Sequence, residues 1–159
     1  MLAIQKHLRL AGGNAMFKAA DSLKGLVFNN AECSCVLGGV LAIGLACGRD
    51  DWDSILGQHK DRPGWNPATD VKVRAVRFTT EFKKRFGSLS CPDLQKMLCG
   101  KSYDMTIPDE AKAFSMPEIH YVCADLVGAT ARMATEIILD LEFTSKPIEV
   151  PLHDYQSLV

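Results

Sequence analysis

From Cys33 to Gly48 the chain runs 16 residues without a charge, and four of them, Gly38, Gly39, Gly44 and Gly48, are glycine. A membrane span takes about 20 predominantly apolar residues, so this stretch reads as a helix buried inside a globule. A helix that is apolar on every face has no side to offer to water and needs neighbours all round. Its glycines lower local helix stability, and their useful reading is close packing against those neighbours. The rest of the chain therefore has to supply amphipathic helices that enclose a central one.

The composition agrees. Of 159 residues, 47% are hydrophobic and 23% charged, with a formal net charge of −1, which is ordinary for a globular domain and excludes a disordered chain or a nucleic-acid binder working by bulk charge. Leu2, Ile4, His7, Leu8 and Leu10 are positioned to face a core. Asn14 can cap a second helix with Met16, Phe17, Ala20, Leu23 and Leu26 at helical spacing, and Asn30 can cap the central one. Gly48 to Pro67 reads as a loop. Thr69 or Asp70 opens a helix to Phe86 in which Val73, Val76, Phe78, Phe82 and Phe86 are candidates for burial. Ser90 with Asp93 resembles a capping box, and Gly100 ends that helix after Cys99. Ser115 with Pro117 starts the longest helix, to about Phe143. The expected fold is all-α, a compact bundle of five to six helices around the Gly-rich one. Residues 1–145 form the helical domain, and 146–159, where Pro147 and Pro151 prevent regular helix, form an extended tail.

Six cysteines are more than such a core needs. The first residues, with Lys6, His7 and Arg9, lack a signal-peptide pattern, so a cytoplasmic protein without membrane insertion is expected, where stable disulfides are uncommon. Multiple cysteines then point to metal, cluster or reversible thiol chemistry. Cys33 falls in the first turn of the central helix and Cys91 at the start of another, where unpaired N–H groups favour thiolate. Cys35 points about 200° from Cys33 in a regular helix, so the two share a site only if that turn is irregular. Cys123 lies within the long helix near Met116, Ile119 and Leu126. Cys47 is about 21 Å along the axis from Cys33, and Cys99 about 12 Å from Cys91, and both are expected to be core filler. The candidate set is Cys33, Cys35, Cys91 and Cys123.

These residues resemble a known family. Glu32-Cys33-Ser34-Cys35-Val36-Leu37-Gly38-Gly39-Val40-Leu41-Ala42-Ile43-Gly44-Leu45 looks like the signature helix of the redox-active four-cysteine proteins denoted C-GCAxxG-C-C. Phe86-Gly87 with Cys91 and Leu94, and Cys123 with Leu126-Val127, are similar to two later blocks of that family. Aligned on Cys33, Ser34 stands at a glycine, Cys35 at an alanine, and the family's further upstream cysteine is missing. Either Cys35 supplies the fourth sulfur or a second chain completes the site. The resemblance implies a small helical redox module, related to the domain of split-Soret cytochromes c that is associated with a [2Fe–2S] cluster. No Cys-x-x-Cys-His run is present, so covalent haem is not expected.

The reading that follows is a small electron carrier holding a cysteine-ligated iron–sulfur cluster, [2Fe–2S], on Cys33, Cys35, Cys91 and Cys123, and served by a redox partner protein. Zinc, or no metal, is the alternative occupancy. The rival functions are a thiol–disulfide protein using Cys33 and Cys91, and a structural or adaptor protein. His7, His59, His120 and His153 are scattered, with only His120 near a cysteine. Asp50, Asp51 and Asp53 read as a solvated loop. The apolar tail, with Ile148, Val150 and Leu152, is expected to cover the protein's own helices or to clasp a second copy in a homodimer.

Overall fold

The structure is a computed structural model that describes residues 2–9, 13–48 and 71–139. The tail 146–159, the loop with Asp50, Asp51 and Asp53, His59, His153 and the side chain of His120 lie outside the described residues. Within them the fold is all-α: α1 (Leu2–Leu8), α2 (Gly13–Asp21), α3 (Lys24–Phe28), α4 (Ser34–Cys47), α5 (Val71–Phe86), α6 (Cys91–Cys99), α7 (Pro108–Phe114) and α8 (Pro117–Ile138). A single antiparallel bridge joins Glu32 to Ser90. Among the described residues no helix is long and apolar enough to cross a membrane.

The uncharged stretch forms α4, and it packs against both α5 and α8, which also touch each other. Cys35, Val36, Gly39, Ala42 and Ile43 of α4 are buried against Phe78, Phe82, Leu126, Met133 and Ile137. Close packing is realised at Gly39. A Cβ there would lie 2.7 and 2.9 Å from Cε1 and Cε2 of Phe78, and closer still to Cζ, so the ring rests directly on the helix backbone.

The buried stripe of α5 is Arg74, Phe78 and Phe82, spaced four apart. Val73 and Val76, expected inside, are 47% and 63% exposed, because they sit on the opposite side of a helix whose inward face is set by the phenylalanines. Arg74 is buried in their stead. Its Nη1 donates to the carbonyl of Ile137, and to that of Ile138 at 3.4 Å, placing a cation on the end of α8 where the helix dipole favours one. His7, also expected inside, is exposed, while Ile4 is buried.

Eight helices are found among the described residues rather than five to six, because short helices escaped the periodicity. The helix expected from Asn14 is two, since the chain turns at Ser22 and Leu23. α7 was not foreseen, although Pro108 opens it with Asp109 and Glu110 in its first turn. Ser115 caps the end of α7, and Met116 is the residue before α8. Gly100 ends α6 as expected, in a left-handed conformation at φ 78°. Ser90 precedes α6, but its side chain makes no capping bond. Ser88 instead ties the preceding turn to the helix: its Oγ accepts the Ser90 N–H at 3.1 Å and donates to Asp93 Oδ2 at 2.9 Å.

Candidate functional site

The bridge between Glu32 and Ser90 brings two helix starts together. The Cys33 N–H donates to the Leu89 carbonyl at 2.9 Å and the Cys91 N–H to the Ala31 carbonyl at 3.0 Å. Cys33 and Cys91 are therefore diagonal neighbours across an antiparallel pair, which sets their Cα atoms roughly 7–8 Å apart. Cys33 is itself the residue that caps α4, in extended conformation (φ −69°, ψ 131°), and its carbonyl accepts the Leu37 N–H at 3.1 Å. Asn30, expected in that role, adopts a left-handed φ of 53°, and its side-chain amide donates to Asp104 Oδ1 at 3.1 Å. Because Cys33 stands just outside the helix, the 200° separation of a regular helix does not apply. The Cys33 and Cys35 thiols share a hydrogen bond.

A cavity of about 390 Å³ opens at this point. Cys33, Cys35, Cys91, Cys99 and Cys123 line it, together with Gln95 and the apolar Leu94, Leu98, Phe114 and Leu126. All four candidate cysteines border one space. Cys47 does not, since it ends α4 at the far side. Cys99, expected to be core filler, does line the cavity. The rise along α6 does separate it from Cys91, but positions 91, 94, 95, 98 and 99 form one helical face, and that face is a wall of the cavity. None of the five cysteines is in a disulfide.

The thiols differ in acidity. Cys33 is lowered from 9.0 to about 7, first by the hydrogen bond from the Cys35 thiol, then by the N–H groups of Cys35 and Val36, against the opposing effect of burial. Those N–H groups belong to the first turn of α4, where no intrahelical acceptor exists. They do not reach full capping geometry to the sulfur, so the thiol–thiol bond is the main cause. Cys35 is pushed strongly up, because it donates that bond and is buried among thiols. Burial raises Cys91 to about 11, with the nearby Cys33 charge adding to it. The expectation that Cys91 favours thiolate is thus overturned, as desolvation outweighs its place at a helix start. Burial raises Cys123 to about 12 and moves Cys99 up as well.

Gln95 is a cavity residue that the sequence did not single out. It is 3% exposed, its Nε2 donates to Cys91 Sγ at 3.4 Å, and its Oε1 accepts the Tyr103 N–H at 2.7 Å. A signal was available, because a glutamine between Leu94 and Leu98 lies four residues after Cys91 on the same face.

Among the described residues no carboxylate or imidazole lines the cavity, and a set of thiols suits soft metals and iron–sulfur clusters. Among the described residues no three His, Cys, Asp or Glu side chains are gathered as ligands of a single ion; the sulfurs border a larger space. An all-α protein whose site is a cavity of thiols, one of them ionising near neutrality, has the makings of a redox module. The chain belongs to the family described as "Putative redox-active protein (C_GCAxxG_C_C)", whose model matches residues 1–137. No curated protein and no solved structure matches the chain. The family's pattern places a glycine four residues after its second cysteine. Cys35 and Gly39 meet that spacing, whereas Cys33 is followed at that distance by Leu37. Cys33 precedes that pair in the chain, Cys91 and Cys123 are among the cysteines that follow it, and Gly39 is the glycine that Phe78 packs upon.

Proposed function

We propose that Cys33, Cys35, Cys91 and Cys123 hold an iron–sulfur cluster, [2Fe–2S], and that the protein passes single electrons between partner proteins. The observation that carries this reading is that these four thiols border one cavity in which, among the described residues, the soft-metal donors are all cysteines, Cys99 being the fifth. A bound cluster of this kind takes up and releases one electron at a time. The chain's own residues prepare for it unequally. Cys33, lowered to about 7 by the Cys35 thiol and the N–H groups of α4, gives up its proton to a ligating metal most readily. Cys35, Cys91 and Cys123 carry protons at neutral pH and release them on binding, so loading strengthens as pH rises. Leu94, Leu98, Phe114 and Leu126 restrict water around the sulfurs. Protein purified anaerobically is expected to be brown and to hold about two irons per site, with an equal amount of acid-labile sulfide. Colourless, iron-free protein from such a preparation refutes the reading.

The thiol–disulfide reading rests on a separate observation, the diagonal placement of Cys33 and Cys91 across the bridge; at roughly 7–8 Å their Cα atoms lie just beyond the separation a disulfide spans, so closing the bond needs a small backbone shift. The Cys33 thiolate would attack an external disulfide, release one thiol, and leave a mixed disulfide that Cys91 displaces as the second thiol departs. Thiol counting on protein equilibrated with oxidised and with reduced glutathione tests it. Six free thiols in both conditions exclude it.

A further inference from the structure

We infer that Gln95 is a positioning residue of this site: its amide N–H holds the Cys91 sulfur on the cavity wall and sets the reduction potential of the redox group there. The inference deepens the cluster reading and rests on it. Gln95 is buried between two leucines of α6, where an apolar side chain of equal size would pack without desolvating an amide. The two ends of that amide are assigned by their partners. The Tyr103 N–H can only donate, so the oxygen faces it at 2.7 Å and the NH₂ group is left pointing at Cys91 Sγ, 3.4 Å away. A flipped amide would set donor against donor at Tyr103. Tyr103 is in turn anchored, being 4% exposed with its ring 5.6 Å from that of Phe114, a residue of the same cavity wall. The amide therefore has one orientation, and it presents a positive dipole to a sulfur.

A donor to sulfur stabilises the more negative, reduced state more than the oxidised one, and hydrogen bonds of this kind tune the potentials of thiolate-bound centres. Removing the donor should make the site harder to reduce. Gln95→Glu keeps an oxygen for Tyr103 and turns a second oxygen toward Cys91, while Gln95→Met keeps the volume and removes both bonds. Full-length wild type and both variants are purified anaerobically, assayed for iron and for thermal unfolding, and titrated with dithionite as the one-electron donor. Both variants are expected to keep wild-type iron and to be reduced about tenfold less at a given ambient potential, a fall of 59 mV for a one-electron couple, with Gln95→Glu shifted at least as far as Gln95→Met. Unchanged potentials in folded, iron-loaded variants overturn the inference and leave the cluster reading standing. Iron-free wild type overturns the cluster reading instead. The same variants are then read on the Cys33–Cys91 dithiol couple in glutathione buffers, where an unshifted potential overturns the inference as well. One measurement needs no variant: the Gln95 side-chain amide protons of the wild-type protein should exchange slowly with solvent, and exchange as fast as in an unstructured peptide refutes the geometry on which the inference stands.

Discussion

Gly39→Ala is the sharpest probe of how α4 is held. Two effects oppose. Alanine in place of glycine inside a helix is worth about 0.5–1 kcal/mol in backbone entropy. Against it, the new methyl would sit less than 3.0 Å from three atoms of the Phe78 ring. That ring is 0% exposed, 6.2 Å from the ring of Phe82, and has no open side to retreat into. Overpacking of this kind costs about 1–3 kcal/mol, and the severity of the contact puts Gly39 toward the upper end. The net loss is about 1–2 kcal/mol, or about 2–8 °C in Tm for a chain of this size. Gly44→Ala is the internal control. The helix is the same and the substitution is the same, but nothing lies within 4 Å of the new Cβ, so stability should rise by about 0.5–1 kcal/mol. Thermal and urea unfolding followed by circular dichroism compare the two. Phe78→Leu combined with Gly39→Ala should cost less than the sum of the single changes, because the clash is relieved. If Gly39→Ala is as stable as Gly44→Ala, the close approach of α5 to α4 is wrong.

Three further outcomes are expected. In metal-free protein Cys33 titrates near 7 against an ordinary 9.0, so its stabilising contribution is present above pH 9 and is lost as pH falls through 7. Cys91 and Cys123 run in the opposite sense, contributing below pH 9 and losing that contribution as pH rises through about 11 and about 12. Urea midpoints should therefore climb from pH 7 to 9, and Cys33→Ser should abolish that climb. Serine replacement of Cys33, Cys35, Cys91 or Cys123 should each deplete bound iron, while Cys47→Ser and Cys99→Ser keep the wild-type content measured by metal analysis. Ser88→Ala removes the acceptor for the Ser90 N–H and the donor to Asp93, and should cost about 0.5–1.5 kcal/mol in a urea titration.

The parts of this architecture that could be read in the sequence are those specified within a few residues. An uncharged run can only be an enclosed helix, and α4 is one. The start of α6 and the left-handed Gly100 that stops it follow from local backbone chemistry. What escaped depends on contacts between distant segments. Cys33 caps α4 because Leu89 takes its N–H, and no local pattern around Asn30 announces that pairing. Cys91 looked acidic from its position at a helix start, yet its acidity is decided by what buries it. Val73 and Val76 are hydrophobic but lie on the wrong side of a helix oriented by Phe78 and Phe82. Distance along the axis separates Cys99 from Cys91, but the helical face the two share is what brings Cys99 to the cavity.

The bridge between Glu32 and Ser90 also fixes when this site can come into being. During synthesis Cys33 and Cys35 leave the ribosome first, and Cys123 follows after roughly 4–18 s at ordinary elongation rates. At the start of that interval α4 has neither α5 nor α8 to lie against, and its thiols lack the strand-like contact that turns Cys33 toward Cys91; α5 and then Cys91 follow, and α8 comes after both. The nascent chain thus carries an uncharged helix that is only partly covered until α8 is made. A group that needs Cys123 as well as Cys33 can be held only once α8 has joined the other helices.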